Sequence, residues 1–458
     1  MNRHLLLPAD PKFPGMAEAL NAGRMHETFR SELQTGAGKD GILLEGCVPE
    51  YVRYKPGVSC IIGYSLRLAP DGNGRTEIQR AYGRLLPPDE GRVEYEKALK
   101  THTAAPVCGP PVAYFRELPM VVSFFPNDRS LRGLRFMLDP DKLKRIAQEH
   151  LRGLVEAPWR VRGRKTRIDV LSYKPERHCV ARCRLGLRNV DTGEKRTVDL
   201  IGKLMEPGEG AYVFQANRRI YDWCRTRGES LLVPEPFGYI PEWGLSFQEE
   251  VAGSHPAPLA GPPREWYSLL SRVAEGLRSF HRSSIAGLTP CPLDQVFEDL
   301  RLSATEAANV LPESEKILMG LLEEFEKDLP TQGVPELRPV HGDFHVNQIL
   351  LGDRGPVIID LDAVRLSDSL EDVANFTAHL MIYRKDGLLS RQEDEEAEGR
   401  FLRDYFEGDD LKDHQAGYRW HKKAALTRLA LSCLKYLPMD WRARMEFFMD
   451  EAGRVTLS

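Results

Sequence analysis

The sequence predicts an α+β protein with antiparallel sheet in its first half and mainly helices after about residue 253. Short apolar and β-branched runs separated by polar turns recur up to about residue 252, as expected of strands. Further on, apolar residues recur at helical spacing, most clearly from Trp266 to His281 and from Tyr418 to Tyr436. One stretch of the first half also occurs twice, which indicates two units of similar structure.

The composition is that of an ordinary globular protein. The 458 residues are 42% hydrophobic and 28% charged, which suits two or three domains. Because the net charge is only -4, we expect no nucleic acid and no membrane as a partner. The start, MNRHLLLPADPKF, has too short an apolar run for a signal peptide, and no run is long enough to span a membrane. The eight cysteines form no CxxC pair, so we expect buried reduced thiols and a cytoplasmic protein.

The repeat is the most informative structural signal. The stretch from Tyr54 to Gly91 aligns without a gap with the stretch from Tyr173 to Gly210. About twelve of roughly 38 aligned positions are identical, far more than unrelated segments share. Each copy has a strand, a second strand and then a helical pattern, followed by a proline-rich corner and another strand. We therefore predict two related α+β units.

Two charged runs lie outside the repeat. The basic run from Arg160 to Arg167 follows a helix predicted over Asp139 to Leu154, and we interpret it as a solvated strand edge or linker. The acidic run from Glu393 to Glu398 is interpreted as an exposed helix face. Neither run is assigned a binding role.

One segment carries chemistry. Residues 340–350 read VHGDFHVNQIL, and residues 356–362 read PVIIDLD. A polar loop is thus held between apolar residues and runs into a hairpin that ends in two acidic residues. Such a loop places one carboxylate and one amide oxygen near a second carboxylate. Phosphoryl transfer uses this arrangement, with a base that positions the acceptor and oxygen ligands for Mg²⁺.

At His341–Asp343 and Ile359–Asp360 the chain resembles the aminoglycoside phosphotransferase family, which includes choline kinases and has a bilobal protein-kinase-like fold. That fold has an antiparallel β N-lobe and a mainly α C-lobe. The resemblance implies that Asp343 is the catalytic base, that His341 orients its loop, and that Asp360 holds Mg²⁺ against the phosphates of ATP. The stretch from Asp368 to Asn375 also resembles the family, and there Asp372 would be a structural carboxylate.

The chain departs from the family pattern at Gln348, where the family has asparagine. Glutamine offers the same amide oxygen on a stem that is one methylene longer, so we predict Gln348 as a metal ligand. Asn347 is an alternative, and Asp362 is predicted as an additional ligand because it follows Asp360 on the same strand face. The resemblance leaves open whether this change preserves activity.

The nucleotide side rests on Lys203, on a strand of the second copy. Kinase-like folds use a strand lysine to bind the α and β phosphates, and a lone charge on an apolar strand is costly unless it is paired. We expect its partner on the following helix, where Glu209 and Gln215 are the candidates. No glycine-rich phosphate loop is present, so Lys174 and Arg177 of the preceding turn are candidates to meet phosphates by charge.

The remaining predictions concern the hinge and the division of the chain. The stretch around Glu250 and Val251 resembles the hinge between the lobes, where backbone groups would bind adenine. We predict a nucleotide-binding N-lobe over residues 151–252 and a helical C-lobe with the acceptor pocket over residues 253–458. Residues 1–150 would be a degenerate N-lobe-like cap or packing domain, because Arg84 replaces the lysine and no His-Gly-Asp loop follows.

The leading interpretation is an ATP-dependent kinase that phosphorylates a hydroxyl group of a small molecule. One alternative is an inactive, pseudokinase-type nucleotide-binding module, which Gln348 and the absent glycine loop favour. Another is transfer of a nucleotidyl group to protein by the same fold. The retention of Lys203, Asp343 and Asp360 argues against an inactive module. The sequence selects neither an acceptor nor an oligomeric state.

Overall fold

A computed structural model describes residues 7–8, 10–35, 44–69, 76–87, 90–151, 154–162, 165–227, 232–256, 264–329, 336–353, 355–407 and 411–456. The first part contains α1 (Met16–Ala19), α2 (Ala22–Thr35), β1 (Leu44–Lys55), β2 (Ser59–Leu68), β3 (Ile78–Leu85), α3 (Gly91–Thr101), β4 (Val112–Phe115) and β5 (Met120–Phe124). The second contains α4 (Leu134–Met137), α5 (Pro140–His150), β6 (Trp159–Val161), β7 (Arg167–Lys174), β8 (His178–Asn189), β9 (Lys195–Leu204), α6 (Pro207–Arg227), β10 (Pro236–Ile240) and β11 (Leu245–Glu249).

The third part is mainly helical, as predicted. It contains α7 (Arg264–His281), α8 (Leu293–Ala308), α9 (Pro312–Lys327), β12 (Arg338–Val340), β13 (Ile349–Gly352), β14 (Gly355–Ile358), β15 (Arg365–Ser367), α10 (Leu370–Lys385), α11 (Arg391–Tyr405), α12 (Leu411–Tyr436) and α13 (Trp441–Arg454). Short 3₁₀ turns cover Val346–Gln348 and Leu361–Ala363. The acidic run lies on α11, whose N-terminus is closed by a capping box between Ser390 and Glu393.

The two repeated stretches form two sheets with one strand order. The first sheet runs β1-β2-β3-β5-β4, and the second runs β7-β8-β9-β11-β10, with β6 paired to the far end of β8. The registers also correspond, since the pairs Tyr54/Cys60 and Cys60/Leu85 of the first sheet match Tyr173/Cys179 and Cys179/Leu204 of the second. The two sheets therefore share strand order and register over the repeated stretches.

Helices α4 and α5 pack with the second sheet. Leu134, Met137, Leu143 and Ile146 share one buried cluster with Cys179, Leu185 and Leu204 of that sheet. In the first part, α1 and α2 are likewise followed by the first sheet, and Met16 and Phe29 join its buried cluster. The packing therefore favours a border between the units near residue 126, earlier than the predicted border at 150.

The first sheet packs on the end of the chain. Its buried residues, Tyr54 and Val122 among them, belong to one cluster with Leu300 of α8, Trp420 of α12 and Phe448 of α13. This arrangement makes the first unit a packing partner of the helical part.

The eight cysteines, all within the described ranges, form no disulfide, and all except Cys291 are buried. Within the described ranges, we find no helix with the length and apolar character needed to cross a membrane.

Candidate active site

Lys203 lies on β9, between β8 and β11 in the second sheet. Its Nζ donates to Asp360 Oδ1 and to Asp362 Oδ1, each at 2.6 Å, and its side chain is only 13% exposed. Burial alone would lower the pKa of Lys203, but the two carboxylates raise it overall. The lysine is therefore a buried cation that needs both acids.

The two acids follow β14, where the chain turns sharply. Asp360 has φ +61°, a left-handed conformation that is uncommon outside glycine and that occurs often at functional sites. Burial would raise the pKa of Asp360, but Lys203 outweighs it and lowers that pKa overall. Burial raises the pKa of Asp362, and Asp360 adds to this effect. Asp360 is thus the carboxylate that is most firmly ionised.

A buried carboxylate at the start of α10 holds the loop that carries Asp343. Asp372 accepts hydrogen bonds from the backbone N–H groups of His341 at 2.6 Å and Gly342 at 2.9 Å. The ring of His281 contacts the same carboxylate through Nε2 at 3.1 Å. Three partners on one buried carboxylate fix the start of the loop, which fits the structural role predicted for Asp372.

Gly342 allows the loop to approach Ala363 and Arg365 closely. Its φ is +81°, and a Cβ at this position would collide with the Ala363 carbonyl oxygen and the Arg365 guanidinium. His341 then braces the loop, because its Nε2 donates to the Ile359 carbonyl at 3.0 Å while Nδ1 accepts the backbone N–H of Asp343 at 3.3 Å. This pair of bonds selects the Nε2–H tautomer of His341.

The backbone of Asp343 is held by His341, and its carboxylate faces solvent. Its side chain is 57% exposed, and Oδ2 lies 3.9 Å from His345 Nε2. Desolvation by the surrounding protein raises the pKa of Asp343, and the carboxylates of Asp360 and Asp372 add to that rise. An exposed carboxylate of raised basicity, on a rigid loop, suits a group that accepts a proton.

Two stacked histidines lie beside Asp343. The rings of His345 and His379 are parallel within 8°, with centroids 4.4 Å apart. Burial lowers the pKa of His345 to about 3 and that of His379 to about 4, so both are neutral at pH 7. Ligand atoms of the two rings and of Asp343 lie within 4.8 Å of one another. However, His345 Nδ1 accepts the N–H of Asn347, which leaves the proton on Nε2 and disfavours a metal there.

A cleft of about 600 Å³ separates the second sheet from these loops. Pockets of this size commonly hold cofactors and small ligands. Predicted site residues that line it are Lys174, Lys203, Glu250, Val251, Asn347, Gln348, Asp360 and Asp362. The carboxylate of Glu250 is bound to Arg182 at 2.6 Å, so it is the backbone of this segment that remains suited to a ligand.

A family model described as the phosphotransferase enzyme family matches residues 187–421, just over half of the chain. The chain belongs to this family. It is therefore an enzyme, a small-molecule phosphotransferase, and its second sheet and helical part are the two lobes of a protein-kinase-like fold. Residues 1–186, with the whole first sheet, lie outside the matched range.

Solved structures with similar folds include a choline/ethanolamine kinase family protein from Mesorhizobium loti, at 16% identity, TM-score 0.42, over 60% of this chain and 85% of the other. A choline kinase from Cryptosporidium parvum Iowa II matches at 12% identity, TM-score 0.47, over 69% and 95%. A Plasmodium vivax ethanolamine kinase matches at 10% identity, TM-score 0.44, over 72% and 96%. No curated protein matches the sequence.

Three oxygen-bearing side chains of the phosphotransferase, those of Gln348, Asp360 and Asp362, line one part of the cleft. Asp360 Oδ1 faces Lys203, whereas Oδ2 lies 3.5 Å from Gln348 Nε2. The same Nε2 lies 3.4 Å from His345 Nε2, which carries a proton. Turning the amide of Gln348 by half a turn would present its oxygen instead, on the side of Asp360. Two carboxylates and an amide oxygen are donors that Mg²⁺ accepts, so the residues fit this metal.

Some placements differ from those expected. Glu209 and Gln215 of α6 are both exposed, so the predicted pairing with Lys203 is wrong; its partners come from the other lobe. Arg177 is exposed on its turn and is not among the cleft-lining residues, whereas its neighbour Lys174 is.

His178, which the sequence pattern does not single out, lines the cleft at the start of β8. Burial, with Lys203 and Lys174 nearby, lowers the pKa of His178 to about 3. His345 was likewise given no role, although it lies inside the conspicuous segment of residues 340–350. Proximity to the motif was the signal that could have found His345, whereas His178 resembles any strand residue.

Proposed function

We propose that this phosphotransferase moves the γ-phosphoryl group of ATP to a hydroxyl group of a small molecule. One observation carries the proposal. Lys203 contacts Asp360 and Asp362, and all three residues line a cleft of about 600 Å³. The two acids belong to the same group of loops as Asp343. A buried cation facing two carboxylates is the charge pattern needed for a nucleotide phosphate with its metal.

Each residue then has a stated task. Lys203 would bind nucleotide phosphates, and Lys174 would add positive charge at the edge of the cleft. Asp360, Gln348 and Asp362 would hold Mg²⁺, which when bound neutralises charge on the phosphates. The backbone near Glu250 and Val251 would bind adenine.

Asp343 would orient the acceptor hydroxyl and take its proton. His341 supports this role by fixing the loop, and Asp372 by anchoring the loop to α10. The neutral rings of His345 and His379 form the wall beside Asp343, where the acceptor would lie. Because neither ring is charged at pH 7, this wall does not repel a cationic acceptor.

The test combines binding with turnover. We expect calorimetry to show Mg²⁺-dependent binding of ATP by the wild type, and loss of that binding in Lys203→Ala and Asp360→Ala. Asp343→Asn should keep nucleotide affinity within about twofold while turnover with a screened acceptor falls at least about a hundredfold.

Arg184→Ala is the matched control, because Arg184 forms an exposed ion pair with Asp199 on the same sheet. Full turnover by Asp343→Asn would contradict the assignment of the base. Nucleotide binding without transfer would favour the inactive nucleotide-binding module, whereas absence of nucleotide binding by the wild type would favour a degenerate kinase fold. Product mass separates the two transfer reactions, since a phosphoryl and an adenylyl group differ in mass.

A further inference from the structure

The turn between β7 and β8 has an unusual residue at its tip. Glu176 adopts φ +58°, and the corresponding residue of the first sheet, Gly57, adopts φ +63°. Glycine reaches this left-handed region freely, whereas glutamate is strained there. A side chain held in such a conformation, where the matching turn uses glycine, points to a contact that only the second turn makes.

That contact reaches the first sheet. Glu176 Oε2 accepts from Arg84 Nη1 at 2.7 Å and lies 3.8 Å from Arg53 Nη2. The Glu176 side chain is 7% exposed, so the charge depends on these partners. Arg84 of the first sheet aligns with Lys203 of the second. Lys203 pairs with acids of the helical part, and Arg84 likewise pairs with an acid of the unit that follows its own.

A second set of bonds fixes the same turn. Asp128 Oδ2 accepts from the Tyr173 hydroxyl at 2.7 Å and from the Glu176 N–H at 2.9 Å. The first sheet has the same clamp, in which Asp10 Oδ2 accepts from Tyr54 and from the Gly57 N–H. The clamp is thus common to both turns, and the Arg84–Glu176 pair is additional.

The turn also faces the nucleotide cleft. Lys174 and His178, two residues to either side of Glu176, line that cleft. Between them Pro175 is buried, and its Cγ lies 3.8 Å from the Cβ position of Gly63 on β2. The turn therefore has one side against the first sheet and the other against the cleft.

We infer that the first sheet, through Arg84, holds Glu176 and so positions the phosphate-side turn of the nucleotide cleft. Glu176 is a positioning residue, and the first unit sets nucleotide affinity without touching the nucleotide. The turn has no glycine-rich sequence. The contact between Arg84 and Glu176 holds it in place from outside the lobe. The inference rests on the proposed function, because the cleft must bind a nucleotide for affinity to change.

The experiment measures Mg²⁺-ATP binding and kinetics for Arg84→Ala and Glu176→Gln. We expect each variant to weaken ATP binding and raise KM for ATP about tenfold, while kcat stays within about twofold, because neither residue reaches the reacting atoms. Arg84→Lys keeps the charge and should recover most of the affinity. Arg184→Ala, the exposed control on the second sheet, should match the wild type. Unchanged ATP affinity in both Arg84→Ala and Glu176→Gln would overturn the inference.

A nucleotide-free measurement separates this inference from the proposed function. Hydrogen exchange of the backbone amides from residue 173 to residue 178 should be faster in Arg84→Ala than in the wild type, with the rest of the second sheet unchanged. Equal exchange of the turn would reject the positioning role, whether or not ATP binds. Faster exchange throughout the protein would also reject it, since that pattern indicates general destabilisation.

Discussion

Gln348 is the predicted metal ligand that departs from the family pattern. It stands five residues after Asp343, where the family carries asparagine, and it lies against Asp360 and His345. The extra methylene lengthens the reach of the amide, and the cleft accommodates it beside Asp360 Oδ2. The side chain of the neighbouring Asn347 is exposed, whereas the side-chain amide of Gln348 lies 3.5 Å from Asp360 Oδ2.

We predict that Gln348→Ala raises the Mg²⁺ concentration needed for half-maximal activity at least about tenfold, since one oxygen ligand is lost. Gln348→Asn should stay within about threefold of the wild type, because the family residue restores the amide at a shorter reach. Titrating Mg²⁺ at saturating ATP measures both. Asn347→Ala is the matched control, and a larger defect there than in Gln348→Ala would transfer the ligand role to Asn347.

At the scale of elements, the sequence predicted those features that depend on residues close together in the chain. Three strands of each sheet and helix α7 were predicted from the local pattern, and Lys203 and Asp360 were chosen as candidate site residues from residue type and motif. The partners of Lys203 were not predicted, because they lie about 157 residues further along the chain, on the other lobe. The pairing of Arg84 with Glu176 was equally hidden, since it depends on how two sheets sit against each other.

Helix α11 carries a buried acid whose charge state should affect stability. Asp394 pairs with Arg384 of α10 at 3.2 Å, but burial raises the pKa of Asp394 to about 6 despite that arginine and Lys422. The unfolded chain loses this proton near pH 4, whereas the folded protein keeps it until about pH 6. The residue therefore contributes stability below pH 4 that is lost as the pH rises through 6.

We predict that Asp394→Asn becomes more stable relative to the wild type as the pH rises from about 4 to about 7. The gain over this interval is about 2–3 kcal/mol, following from a pKa difference of about two units. Denaturant unfolding of both proteins at several pH values measures it. Asp353→Asn, on an exposed turn, is the control. A stability difference that does not change with pH would contradict the burial of a protonated Asp394.

At the scale of the whole molecule, the border between the two sheet units could not be predicted from spacing. The helical pattern near residues 139–154 was visible, and α5 covers Pro140–His150. Periodicity shows that a helix has an apolar face, but it does not show which sheet receives that face. The buried cluster that joins Leu143 and Ile146 to Cys179 assigns α4 and α5 to the second sheet.

This assignment predicts where the chain can be divided. Fragments 1–125 and 126–458, produced together, should associate and purify as one soluble complex, because that cut separates elements only at the face between the two units. Fragments 1–150 and 151–458 should aggregate, because the second cut removes α4 and α5 from the sheet they cover and exposes apolar surface on both pieces. Co-purification and near-ultraviolet circular dichroism measure the outcome. Equal recovery of soluble complex from the two cuts would place the border elsewhere, whereas recovery from the second cut alone would restore the border at 150.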